Sequence, residues 1–94
     1  MSGLPPGFEC NAPEEGCYSP VEQYWTIRPR VEYKYDAERG WLCIGGPGVD
    51  GIEFGHLQGR PGIFAYYPIG DEYMLKAATA TELFSGWLNG EISV

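Results

Sequence analysis

Val31, Tyr33 and Tyr35 alternate with Glu32, Lys34 and Asp36, and this period of two constrains the fold more than any other feature of the chain. Alternation of this kind sends one set of side chains to a buried face and the other to water, which predicts an antiparallel strand over residues 31–36. Ala37-Glu38-Arg39-Gly40 supplies a short turn, with glycine where a positive φ is needed. The continuous apolar run Trp41-Leu42-Cys43-Ile44 then suits a central strand.

The same reading continues downstream. Ile52, Phe54 and His56 alternate, Gln58 to Gly62 reads as a loop, and Ile63 to Tyr67 returns as an aromatic strand. Pro68 to Asp71 makes a turn, after which Tyr73, Leu75 and Ala77 alternate with Met74 and Lys76 in a fifth strand. Thr79-Ala80-Thr81-Glu82 matches a capping box, and Asn89-Gly90 offers a left-handed stop. Between them Leu83, Phe84, Trp87 and Leu88 define the apolar face of one helix, which is too short to stand without packing on the sheet. The expected fold class is α+β: a mostly antiparallel sheet of about five strands with one C-terminal amphipathic helix on a face.

With 94 residues the chain has surface enough for a single core. Residues 1–23 carry four of the eight prolines and no lysine or arginine, and they show no periodicity. They are read as an irregular acidic arm, laid over the domain or partly disordered, with residues 24–94 as the domain. No apolar run approaches the roughly 20 residues of a spanning helix, and the N-terminal Met-Ser-Gly-Leu-Pro-Pro-Gly lacks the basic and apolar regions of a secretory signal, so a cytoplasmic location is expected.

Six basic residues against thirteen acidic ones give a formal charge of −7. Such a field repels nucleic acid and anionic membrane and attracts a basic partner. Gly46 to Gly51 fits G-x-G-x-x-G, but Ile52-Glu53-Phe54 opens another strand where a dinucleotide site requires a helix, so it reads as an inter-strand connection. Cys10, Cys17 and Cys43 form no C-x-x-C, and adding His56 gives no zinc-module spacing, so free thiols and no metal are expected. His56 is the one histidine and would have to serve any histidine-based chemistry; alternation puts Glu53 on the opposite face from it. Tyr66 and Tyr67 are adjacent on a strand, so one of them is expected at the surface, where tyrosine favours interfaces.

Trp41-Leu42-x-Ile44-Gly45, Gly48-x-Asp50-Gly51-Ile52-x-Phe54-Gly55, Gly62-Ile63-Phe64-Ala65-Tyr66-Tyr67-Pro68 and Gly86-Trp87-x-x-Gly90, in this order, resemble the SUKH superfamily over residues 41–94. That family includes a yeast regulator of cell-wall synthesis and many bacterial immunity proteins. The resemblance implies an α+β fold without cofactor or catalysis, and a role in binding and blocking a toxin, often a nuclease. An acidic inhibitor is steered onto a basic nuclease by charge. Asp50, Glu53, Asp71 and Glu72, with Glu14 and Glu15 on the arm, are then the candidate contacts, joined by Tyr66 and Tyr67. Two rival functions remain: a small-ligand or glycan module stacking on Tyr66, Tyr67 and Trp25, or a small hydrolase built on His56 with a carboxylate from elsewhere in the fold.

Overall fold

Among the residues that the computed structural model describes, seven antiparallel strands, named in chain order, make one sheet: β1 (Cys17–Ser19), β2 (Tyr24–Ile27), β3 (Lys34–Asp36), β4 (Trp41–Gly45), β5 (Glu53–Leu57), β6 (Ile63–Tyr67) and β7 (Glu72–Ala77). One helix, α1 (Ala80–Leu88), follows at the C-terminus and packs on the sheet. The structure describes residues 4, 7, 8, 10, 12–20, 23–48 and 51–92. The chain is therefore α+β, with a sheet order of β1-β2-β4-β5-β6-β7 and β3 pairing with β4 beside that path.

The expected hairpins are present. Asp36 lies opposite Trp41 across β3 and β4, and Gly40 closes their turn at φ 60, inside the region where a Cβ is penalised. The Asp36 carboxylate fixes this turn by accepting from the amides of Glu38 at 3.1 Å and Arg39 at 3.3 Å. Leu42 faces His56 across β4 and β5, and Tyr66 lies opposite both Glu53 on β5 and Tyr73 on β7.

The strand predicted from residue 31 starts later. Arg30–Glu32 form a single 3-10 turn, and Val31, expected on the buried face, is 86% exposed. Pro29 initiates the turn at φ −52, with its carbonyl accepting from Glu32 N at 2.8 Å and the Arg30 carbonyl accepting from Tyr33 N at 3.1 Å. Long-range bonds anchor it: Arg30 donates from Nη2 to the Ala12 carbonyl at 2.7 Å and from its amide to the Glu14 carbonyl at 2.8 Å. Local alternation carries no information about such partners.

Similar contacts hold the described part of residues 1–23. Phe8 and Ala12 are buried in the core, Cys10 and Cys17 pack against it, and β1 pairs with β2. The described part of this segment is thus laid over the domain, contributing β1 to the sheet and Phe8 and Ala12 to the core. Two further strands, β1 and β2, come from this region and its border, which accounts for seven strands against five expected.

Thr79 caps α1 as predicted, its hydroxyl accepting from Glu82 N at 3.1 Å, while the Glu82 carboxylate accepts from the Ala78 amide at 3.2 Å. The buried stripe is Ala80, Leu83 and Gly86; Phe84 is half-buried and Leu88 exposed, so the apolar face is rotated from the one predicted. Trp87 keeps its expected role by meeting Phe54 edge-on at 5.9 Å. Glu91 and Ile92 fold back so that both amides donate to the Gly86 carbonyl. Ser93 and Val94 lie outside the described residues.

Alternation assigns the two sheet faces. Ile27, Leu42, Ile44, Phe54, Ile63 and Ala65 join Leu83 in the core, so the helix side of the sheet is covered. Trp41, Glu53, Phe64, Tyr66 and Tyr73 belong to the opposite face. No helix among the described residues lies on that face.

Candidate functional site

The opposite face is organised around Trp41. Its indole is 1% exposed and donates from Nε1 to Glu53 Oε1 at 2.7 Å. Gly55 on β5 makes this possible, since a Cβ there would sit 2.9 Å from Trp41 Cζ2 and closer still to the Leu42 carbonyl. Tyr73 packs on the indole at 5.0 Å and on Tyr66 at 4.8 Å, forming a continuous aromatic layer across β4, β6 and β7.

Charged groups rim this layer. The Arg39 guanidinium stands 4.7 Å over the Tyr66 ring, donates to the Tyr73 hydroxyl at 3.2 Å and pairs with Asp36 at 2.8 Å. Arg39 holds the Asp36 carboxyl below its ordinary range by donating to it. On the far side the Tyr66 hydroxyl donates to Asp71 Oδ1 at 2.8 Å, and that bond raises the tyrosine pKa. Asp71 is itself a non-glycine residue at φ 53, in the turn before β7. Leu75, next but one to Tyr73 on the same edge strand, is 62% exposed.

The candidate contact residues divide between three places. Glu53, Tyr66 and Asp71 are brought together on the open face, and Glu72 lies at the start of β7 beside them, in register with Tyr67. Tyr67 turns the other way and packs partly against the core, under the Lys76 ammonium at 5.7 Å. Glu14 and Glu15 are exposed in the turn before β1, at the opposite edge of the sheet from β7. Asp50 lies outside the described residues. The three rings of the glycan reading are likewise dispersed: Trp25 on β2 packs edge-on against Tyr18 at 5.2 Å, away from Tyr66.

His56 sits on the helix side, 6% exposed, and its Nδ1 lies 2.9 Å from the Gly62 carbonyl. A carbonyl only accepts, so Nδ1 carries the proton and Nε2 offers a lone pair. Nε2 is buried and has no hydrogen-bond partner of good geometry. Among the described residues, the carboxylate required by the hydrolase reading is not one of its hydrogen-bond partners. The Cys10 Sγ lies 3.6 Å from the Tyr33 hydroxyl. Burial raises the Cys10 pKa, but the influence of His56, the Ala12 backbone and Tyr33 outweighs it and brings the thiol down to about 7. Cys43 is the contrary case, pushed up to about 11 by burial. The three cysteines are free, and no cluster of three or more metal-ligating side chains occurs among the described residues.

Gly46 to Gly51 joins β4 to β5, its described residues open no helix, and so the phosphate-cradling geometry of a dinucleotide fold is missing from it. No helix of the described residues is long and apolar enough to cross a membrane. Comparison with protein-family models, curated proteins and solved structures finds no match for this chain.

Proposed function

We propose that this chain is a non-catalytic binding domain that engages a basic protein through the sheet face opposite α1. The observation that carries the reading is the aromatic layer of Trp41, Tyr66 and Tyr73, which α1 leaves uncovered among the described residues and which Glu53 and Asp71 border. Large rigid aromatics beside charged groups are the composition of protein interfaces, because they bury much area at little cost in side-chain entropy. The formal charge of −7 supports a basic partner, drawn in by the long-range field before contact.

The likeness of residues 41–94 to SUKH proteins supports a narrower version, in which the partner is a toxin, such as a nuclease, that the domain occludes. Under this reading the domain needs no cofactor and turns nothing over.

The test is capture of partners by the tagged chain from its own host, followed by affinity measurements on the purified pair. A basic partner whose Kd weakens by roughly tenfold or more as ionic strength rises supports steering by charge. An affinity indifferent to salt, or one abolished by Glu14→Gln with Glu15→Gln and untouched by Tyr73→Ala, contradicts it.

A further inference from the structure

β7 closes one end of the sheet and, at six residues, is the longest of the described strands. Its inner edge pairs with β6, and among the described residues no backbone group bonds to its outer edge. An open strand edge is a template for another strand, so sheets ordinarily shorten, charge or bend it. β1, at the other end, is three residues long and follows the exposed Glu14 and Glu15. β7 is protected less. Its ladder is regular from Glu72 to Leu75 and bulges only at Lys76, since Phe64 faces Leu75 while Ile63 faces Ala77. Met74 is 48% and Leu75 62% exposed, which leaves two apolar side chains in water at the middle of the strand.

The side chains select what can pair there. Tyr73 and Leu75 belong to the open face, opposite Tyr66 and Phe64, whereas Glu72, Met74 and Lys76 belong to the helix side, where the Lys76 ammonium stands over Tyr67. Two antiparallel copies of this strand, related by a two-fold axis perpendicular to the sheet, keep their faces aligned only when paired positions are both odd or both even. Centring the axis on Tyr73 sets Glu72 against Met74, and centring it on Leu75 sets Lys76 against Met74. Centring it on Met74 sets Glu72 of each copy against Lys76 of the other, so the two charged positions of the strand complement each other twice.

We propose that β7 pairs antiparallel with β7 of a second copy of this chain, with Met74 on the two-fold axis. In that register Met74 meets Met74 on the helix side, and Tyr73 lies beside Leu75 of the second copy on the open face. Backbone bonds along the edge supply affinity, and the two ion pairs fix the register. The two sheets become one, and their aromatic layers stand side by side. The pairing uses the strand edge and leaves the open face clear, so it does not depend on that face binding a basic protein.

Sedimentation velocity on a concentration series of the purified chain reads the association. The mass is expected to rise from 10.4 kDa toward twice that value. Glu72→Lys and Lys76→Glu each oppose like charges at both ends of the register, and each is expected to weaken association about tenfold. The double variant reverses the polarity of both pairs and is expected to return to within about threefold of the unaltered chain. Within one copy the two positions are roughly 13 Å apart along the strand, too far to pair, so this rescue reports on contact between copies. Met74→Cys, once oxidised, is expected to link the two copies through position 74 itself, as peptide mapping shows.

A mass of 10.4 kDa at every concentration overturns the proposal. So does an association that the single charge reversals leave unchanged or that the folded double variant fails to restore. If the double variant does not fold, the linkage decides alone: Met74→Cys copies joined only through Cys10, Cys17 or Cys43, or not joined at all, overturn the pairing.

Discussion

The indole Nε1 of Trp41 donates to the carboxylate of Glu53 at 2.7 Å, across two neighbouring strands and over a glycine that leaves room for the ring. This bond ties the aromatic layer to the acidic rim. Glu53→Ala leaves a buried N–H without its acceptor, which costs about 1–3 kcal/mol. Glu53→Gln retains an acceptor and is expected to lose less. Chemical denaturation of the two variants checks the order, and equal losses would contradict the role given to the bond.

Gly55→Ala pushes a methyl group against the Leu42 carbonyl and Trp41 Cζ2. The indole and the strand must shift, at a cost of about 1–3 kcal/mol by the behaviour of overpacked sites. The midpoint of urea unfolding is expected to fall, together with a change in Trp41 fluorescence. A stable variant with an unaltered spectrum would show that the glycine does not seat the ring.

Most of the central hairpins and the helix start were legible in the chain. Trp41 to Ile44, Ile63 to Tyr67 and the Thr79–Glu82 cap declare themselves through local runs and local bonds. Val31 shows the limit, because its alternation with Glu32 is overridden by Pro29 and by Arg30 reaching back to Ala12. The strands of three and four residues at Cys17–Ser19 and Tyr24–Ile27 are too short for a period to register. Among the candidate contacts, Glu53, Tyr66 and Asp71 converge through strand register, whereas Glu14 and Glu15 were grouped with them by charge alone. The packing of Cys10 against the core had no local signal at all: it depends on the N-terminal segment folding over the helix side of the sheet.

Thr79→Ala removes the hydroxyl that accepts from the Glu82 amide. The helix is expected to lose about 1 kcal/mol, and Thr79→Ser to lose little. Thermal unfolding followed by circular dichroism gives the comparison.

The native state holds the Cys10 thiol at about 7 against 9.0 for an unperturbed thiol, so folding favours the thiolate. For a depressed acid the stabilisation is complete above the unfolded value and fades as pH falls through the folded one. The difference in stability between the unaltered chain and Cys10→Ser should therefore grow from pH 7 to pH 9. Cys17 and Cys43, both raised, are common to the two proteins and cancel. A flat difference, measured by denaturation in reducing buffer, would contradict the lowered Cys10 thiol.

Binding through the open face is most directly read by hydroxyl-radical footprinting of the chain alone and with its captured basic partner. Tyr66, Tyr73 and the exposed Leu75 are expected to lose reactivity on complex formation, with Tyr18 on β1 unchanged. Protection confined to Tyr18 and its neighbours, with Tyr73 and Leu75 as reactive in the complex as before, would contradict the account.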